Sequence, residues 1–296
     1  MKQTSGPVFP KGKALAGLIG SGIAHSLTPA MQEEEAGCQG MRLHYQLIDL
    51  ADKDRAAGLL PQLIAALPLF GFCGVNVTYP VKQAVLPLLD ELSDEARAIG
   101  AVNTIVNRGG TLIGYNTDSS GWRWGFERAL PGADLSRVVL IGAGGAGSAI
   151  AHALLRMQVG QLMIYDQIPA RAQGLADELA LQYSGRRVEA AADHARALST
   201  ASGLVHATQT GMTGSPGIPI DPSLLDGVAW VAEVVYSPLE TDLLKAARKA
   251  GCAIVDGGTM AVGQAVGAFE LFTGLKADPE RMRAHFGRLV AGQSRP

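Results

Sequence analysis

Short apolar runs alternate along the chain with longer stretches whose apolar residues recur at helical spacing. ALAGLIG (14–20) predicts a first strand ending in glycine, and HYQLIDL (44–50) has the alternation of a second. Between them lies the loop SGIAHSLTP and a helix expected from about Ala30, with Glu33, Glu34 and Glu35 in its first turns, where negative charge is favoured. RAAGLLPQLIAALPL (55–69) is helical in spacing although Pro61 and Pro68 punctuate it, and GFCGVNVTY (71–79) is a third strand. Lys82 to Ala98 reads as helix broken near Pro87. AVNTIVNRGGTLIGYNTD (101–118) reads as a hairpin turning at Arg108-Gly109-Gly110. A connecting helix (SSGWRWGFERAL) follows, and the strand rhythm resumes through VVLI, LMIYD, VEAAAD, GLVHAT, WVAEVVY and CAIVDG. The last segments, QAVGAFELFTGL and PERMRAHFGRLV, are helical and amphipathic. Strands alternating with helices imply an α/β chain with mostly parallel sheets.

One junction in this pattern carries chemistry. The strand VVLI runs into Gly142-Ala143-Gly144-Gly145-Ala146-Gly147, a helical pattern follows (SAIAHALLRM), and the next strand closes on Asp166, 19 residues after the last glycine. The glycines permit a tight turn, close approach of backbone to a pyrophosphate, and close helix–strand packing. The helix N-terminus offers N–H groups and the positive end of its dipole. Asp166 stands where a carboxylate accepts bonds from ribose hydroxyls, and a 2′-phosphate would set its charge against this acid, which favours NAD over NADP. With 37 glycines in the chain a bare glycine spacing says little; the order strand, glycines, helix, strand, acid is the informative part.

A second grouping lies upstream. Ser26 and Thr28, then Asn76, Thr78 and Lys82, then Asn103 and Thr104, then Asn116, Thr117 and Asp118 fall at predicted strand ends, where open α/β sheets bind ligands. Singly, each reads as a cap or turn residue, Thr78 before Pro80 and Asp118 before a helix above all. Together they suit a small, neutral-to-anionic polyol.

Composition narrows the classes. A chain of 296 residues is long enough for two domains. A formal charge of −2 gives no steering toward nucleic acid or an anionic membrane. Cys38, Cys73 and Cys252 are widely spaced, without metal-ligand spacing, and read as thiols of a reducing cytoplasm; no metal is expected. MKQTSGPVFPKGK has no apolar segment behind its charges, and no run approaches the ~18 apolar residues of a membrane span.

NVTYPVK, GAVNT, NTD and the upstream IAHSLTPAM resemble the shikimate dehydrogenase family, from about Leu18 to Phe272. TPAM, KQAVLPLLDE, the acid at Asp166 and ETDLLKAARKAGC look most like its NAD-dependent quinate/shikimate branch. The resemblance implies a substrate-binding α/β domain over 1–120 and 265–296, a Rossmann-type NAD-binding domain over 121–264, and an active-site crevice between them. It implies reversible hydride transfer between a ring hydroxyl of shikimate or quinate and NAD, in a cytoplasmic monomer or homodimer. Lys82 matches the catalytic lysine and Asp118 its partner. An ordinary amine, near ~10.4, is a poor base at neutral pH. Proton exchange therefore requires burial or a relay through Asp118, whereas a lysine that stays charged only polarises the oxygen. By the same matching Ser26 and Thr28 hold the substrate carboxylate, and Thr78, Asn103 and Gln264 its ring hydroxyls. Tyr236 falls near the substrate or, equally, is a core aromatic with a satisfied hydroxyl. The glycine loop and Asp166 bind the cofactor, Arg171 stacks on adenine or lies on a helix surface, and Thr208, Met212 and Gly257 wrap the nicotinamide half.

The chain departs from the family pattern in HATQTGM (206–212), where many relatives read Asn-Ala-Thr-Pro-x-Gly-Met. His206 replaces the asparagine and Gln209 the proline, which predicts a less rigid loop. Glu233 stands where relatives often have Asp, and Phe272 where many have Trp. Two rival readings stay open: a paralogue for another ring substrate such as an amino-substituted shikimate, and an NAD-binding sensor without catalysis.

Overall fold

The structure is a computed structural model that describes residues 12–50 and 53–293. The chain divides into two compact units, Met1–Thr117 with Gln264–Pro296, and Asp118–Gly263.

The first unit is built on β1 (Lys13–Gly20), α1 (Thr28–Cys38), β2 (Arg42–Asp49), α2 (Lys53–Ala66), β3 (Gly74–Val77), β4 (Glu91–Leu92), α3 (Asp94–Ile99), β5 (Thr104–Arg108) and β6 (Thr111–Tyr115). Its sheet runs β2-β1-β3-β5-β6-β4. β1 pairs in parallel with β2 and β3, while β5 is antiparallel to both β3 and β6. The sheet is therefore mixed where the alternating pattern predicted mostly parallel pairing. The expected hairpin is the cause. Gly109 (φ 62) and Gly110 (φ 101) supply the two left-handed positions of its tight turn.

Two sequence expectations are corrected here. Residues 82–98 form no continuous helix. They hold a turn, a short 3-10 turn at Leu86–Leu88, β4, and only then α3. Asp90 and Ser93 N–H bind Leu112 O and Gly114 O, and the Asp90 carboxylate accepts Leu112 N–H at 2.7 Å. Those bonds hold the segment to β6 and outweigh its helical spacing. Ser93 caps α3 through Ala96 N–H, and Gly100 (φ 66) ends it. The second correction concerns the glutamates of α1. This helix starts at Thr28, so its first turn holds no acid. Glu35, 1% exposed, instead meets Arg281 at 2.7 and 2.8 Å and accepts Asp278 N–H. Burial pushes its carboxyl up, but Arg281 and the bonds from Asp278 and Gln39 outweigh burial and hold it below its ordinary value.

The second unit contains α4 (Thr117–Ala129), β7 (Arg137–Ile141), α5 (Gly145–Arg156), β8 (Gln161–Tyr165), α6 (Pro169–Gln182), β9 (Arg187–Ala190), α7 (His194–Leu198), β10 (Gly203–His206), β11 (Trp230–Glu233), α8 (Asp242–Lys249) and β12 (Ala253–Val255). Two closing helices, α9 (Gly257–Thr273) and α10 (Pro279–Gln293), lead back into the first unit. The sheet runs β12-β11-β10-β7-β8-β9 with every pair parallel. That is the doubly wound dinucleotide order, with its switch point between β7 and β10. Strands buried on both faces explain the unbroken apolar runs of VVLI and LMI. Val138, Leu140, Ile150 and Leu154 pack on one side, and Val139, Leu204, Val231 and Leu244 on the other. Among the described residues, no helix is long and apolar enough to cross a membrane.

α5 carries a buried base. His152 is 0% exposed, with Nδ1 2.9 Å from the Tyr183 hydroxyl. Burial, reinforced by the Arg156 charge, pushes its pKa down to about 4. The unfolded chain therefore binds a proton here before the folded one does. This contribution to stability is complete above pH ~6.5 and falls as pH drops toward about 4. The full loss is on the order of 3 kcal/mol. His152→Phe is expected to cost about 1 kcal/mol at pH 7 through the lost bond. Denaturant unfolding should show less acid sensitivity in this variant than in the wild type between pH 6.5 and 4; identical slopes would refute the assignment.

Candidate functional site

In the first unit, the polar residues singled out from sequence lie at one end of the sheet. The loops after β1 and β3 are laced together by Ser21 N–H to Tyr79 O and Thr78 N–H to Ile19 O, both 2.9 Å. Lys82 is half-buried in the turn that follows, its carbonyl taking Val102 N–H at 2.9 Å, and Asn103 O takes Val77 N–H at 2.8 Å. Ser26, Thr28, Thr78, Lys82 and Asn103 thus share one rim. Ser26 Oγ accepts Thr28 N–H at 3.3 Å at the start of α1. Gln264 is half-buried in α9.

A buried polar chain underlies this rim. The Tyr45 hydroxyl donates to Asn76 Oδ1 at 2.6 Å, and Asn76 Nδ2 donates to Thr104 Oγ1 at 2.9 Å. Asn103 Oδ1 accepts from Thr117 N–H (2.8 Å) and Thr104 Oγ1 (2.9 Å). Every member is under 6% exposed. A buried polar group stripped of its partner costs about 1–3 kcal/mol, so the chain fixes the Asn103 amide and Thr117 in one arrangement. Thr117 ends the first unit and Asp118, 5% exposed, begins the second.

Sequence reasoning missed Tyr45 and Asp49. Asp49 closes β2 and accepts Gly22 N–H (2.9 Å) and Ile23 N–H (3.2 Å), tethering the loop that carries Ser26 and Thr28. Its signal was available: LID at 47–49 and IYD at 164–166 are both apolar runs closed by an acid.

In the second unit the glycine loop leaves β7 at the switch point. Gly142 has φ 107, and a Cβ there would lie 2.6 Å from Ala207 O. A Cβ on Gly147 would collide with Gly142 O. Gly144 and Gly145 differ: a Cβ on either meets nothing within 4 Å. Gly144 caps α5 without a side-chain bond to the helix's first N–H groups. Ala143 and Ala146 complete the loop. The first and last glycines therefore serve the fold, while the middle pair leaves open space over a helix N-terminus. That space and those donors fit a pyrophosphate.

Asp166 follows β8 with both oxygens engaged: Oδ2 accepts Ala143 N–H at 2.8 Å and Oδ1 accepts Ile168 N–H at 2.9 Å. It ties the glycine loop to the neighbouring strand end, and each oxygen keeps a lone pair for a further donor. Arg171 is exposed in the first turn of α6. Thr208 lies against Gly142, and Met212 is 39% exposed farther along the same loop. Gly257 begins α9 where a Cβ would strike the carbonyls of Val234 and Val235. Tyr236 is 38% exposed, so it is no core aromatic; local burial nonetheless pushes its phenol up from its ordinary value. The glycine loop, Asp166, Thr208, Tyr236 and Gly257 all lie beyond the carboxyl ends of β7, β8, β10, β11 and β12. No group of three or more His, Cys, Asp or Glu that could hold a metal occurs among the described residues.

The family models for a shikimate dehydrogenase substrate-binding domain and a shikimate 5′-dehydrogenase C-terminal domain match residues 18–105 and 257–285. A shikimate dehydrogenase (NADP(+)) of Streptomyces avermitilis is 50% identical, over 93% of this chain and 96% of its own. A quinate/shikimate dehydrogenase (NAD(+)) of Corynebacterium efficiens is 48% identical, over 92% of this chain and 97% of its own. The solved structure of quinate dehydrogenase from Corynebacterium glutamicum in complex with NAD superposes with a TM-score of 0.88 at 46% identity, covering 93% of this chain and 99% of that one.

The glycine geometry makes a direct prediction about the unliganded protein. Gly147→Ala is expected to lower stability by at least ~2 kcal/mol, because its Cβ meets backbone that cannot yield. Gly144→Ala should change it by less than ~0.5 kcal/mol. Thermal unfolding of the two variants checks this; equal losses would contradict the division of roles.

Proposed function

The chain belongs to the shikimate dehydrogenase family, and we propose that it is an NAD-dependent quinate/shikimate dehydrogenase. Overall similarity leaves the cofactor open, since relatives named for NADP and for NAD are about equally identical to it. The observation that carries the choice is Asp166, a carboxylate held at the glycine loop by two backbone N–H bonds. Fixed in that way, it cannot swing away from a 2′-phosphate. One added unit of negative charge ~5 Å away costs roughly 3 kcal/mol at an effective dielectric of ~20. The same oxygens accept from the two hydroxyls of an unphosphorylated ribose.

Bound NAD supplies the hydride acceptor. The chain's own groups bind the pyrophosphate through the N–H groups around Gly144, Gly145 and Ala146, with Arg171 at the adenine side. Thr208, Met212 and Gly257 border the nicotinamide half. Ser26 and Thr28 hold the substrate carboxylate, and Thr78, Asn103, Gln264 and Tyr236 contact the ring. As the ring carbon gives up its hydrogen with the bonding electron pair, the hydroxyl must give up a proton. Lys82, with Asp118, takes that proton from the substrate oxygen in the oxidation and returns it in the reduction. Asp49 and the Tyr45–Asn76–Thr104–Asn103 chain act behind these groups by fixing their loops. The small ring carboxylate is the partner this site fits, and three cysteines without disulfides suit a cytoplasmic setting.

The test is NADH formation with shikimate and with quinate in the purified protein. Turnover is expected with at least one of them, and none with either would remove the assignment. Lys82→Ala is expected to lower kcat by about 100-fold or more while NADH binding, read by fluorescence, survives. A variant with near-normal kcat would refute the role of Lys82.

A further inference from the structure

HATQTGM lacks a proline at 209, and the structure shows what restrains the loop instead. His206 ends β10 with 0% exposure. Its Nδ1 is 2.8 Å from Glu233 Oε1 and its Nε2 is 2.5 Å from Thr208 Oγ1. Glu233 Oε1 also accepts Val234 N–H at 2.8 Å and Val235 N–H at 3.0 Å. Backbone N–H groups only donate, so this oxygen is an acceptor and the hydrogen facing it sits on Nδ1. A neutral imidazole with that tautomer presents a lone pair at Nε2. In that state the Thr208 hydroxyl donates its one hydrogen to His206. What Thr208 Oγ1 keeps is acceptor capacity, part of which takes Thr210 N–H at 3.2 Å.

The carboxylate at the root of this relay holds more than one loop. Glu233 Oε2 accepts the Thr241 hydroxyl at 3.1 Å, and Thr241 in turn caps α8. The Val234 carbonyl, whose peptide N–H (that of Val235) is held by Oε1, and the Val235 carbonyl are the atoms that Gly257 abuts. Beyond them, Thr213 N–H and Oγ1 donate to Ser237 O at 2.8 and 3.2 Å. The segments that carry Thr208, Tyr236 and Gly257 thus hang on one acid that is 1% exposed.

We propose that the Glu233–His206 pair is a positioning device that presents the Oγ1 of Thr208, whose methyl lies beside Gly142, as a hydrogen-bond acceptor for a donor on the bound dinucleotide. His206 acts through Thr208 and does not touch the ligand. The inference rests on the reading of the chain as an NAD-dependent enzyme. Two groups of a nicotinamide nucleoside offer the required donor, the carboxamide N–H and a ribose O–H. 3-Acetylpyridine adenine dinucleotide, which lacks the amide N–H, tells them apart.

The experiment uses the full chain with NAD and whichever ring substrate it turns over. Thr208→Val deletes the hydroxyl at constant shape and is expected to raise the KM for NAD about tenfold, with kcat falling less than about threefold. Thr208→Ser restores the hydroxyl and should bring the KM back to within about threefold of wild type. A KM penalty that disappears with the acetylpyridine analogue assigns the donor to the carboxamide, and one that persists assigns it to the ribose. Nitrogen-15 spectra of the wild-type histidines need no variant to fold, and they should place the His206 hydrogen on Nδ1 and none on Nε2. A hydrogen on Nε2, or an unchanged KM in Thr208→Val, overturns the relay while leaving the functional reading in place. A wild type that binds NADH but turns over neither ring substrate removes the functional reading, and the histidine spectra with NADH titration of Thr208→Val still decide the relay.

Discussion

Backbone meets backbone at the switch point of the second sheet, and much of the site's geometry follows from it. Gly142 lies against Ala207 O, Gly147 against Gly142 O, and Gly257 against the carbonyls of Val234 and Val235. No side chain fits at any of the three. The turn after β7 is therefore as tight as the chain permits, and α5 begins directly over it. The loops after β10 and β11 are drawn to its flank. The open space over Gly144 and Gly145 exists because its neighbours are closed.

Within each unit, buried or anchored acids hold loops at strand ends. Asp166 grips the glycine loop by the Ala143 N–H, and Asp49 grips the loop after β1 by Gly22 and Ile23. Glu233 grips the turn after β11 and, through His206, the loop after β10. The chemistry is the same in each case: a strand-end carboxylate accepts backbone N–H groups of an adjoining turn. Such loops are positioned by charge-assisted bonds of short reach. The Gln209 substitution predicted a looser loop, yet the hydrogen bonds of His206, Glu233 and Thr208 supply a restraint that a ring at 209 would otherwise give.

The sequence was legible where one signal dominated. Unbroken apolar runs ending in glycine or an acid located β7 and β8, because both faces of those strands are covered. Gly109-Gly110 located the hairpin. Legibility failed where a tertiary bond overrode a local pattern. Residues 82–98 have helical spacing, but Asp90 and Ser93 are bonded to β6, a partner more than 20 residues away. The glutamates of α1 suited a helix start, whereas Glu35 answers to Arg281, which is 246 residues distant. Among the candidate site residues, the glycines and Asp166 stood out because their signal lies in their spacing. Tyr45, Asp49 and the His206–Glu233 relay did not, since their meaning comes only from which strands lie side by side.

We attribute a preference for NAD to the anchored carboxylate of Asp166, although similar chains are named for NADP. Fluorescence titration of the wild-type protein with NADH and NADPH at equal ionic strength tests it most directly. NADH is expected to bind at least about 30-fold more tightly, the lower side of what one fixed charge of this kind contributes. Equal affinity, or tighter binding of NADPH, would contradict it.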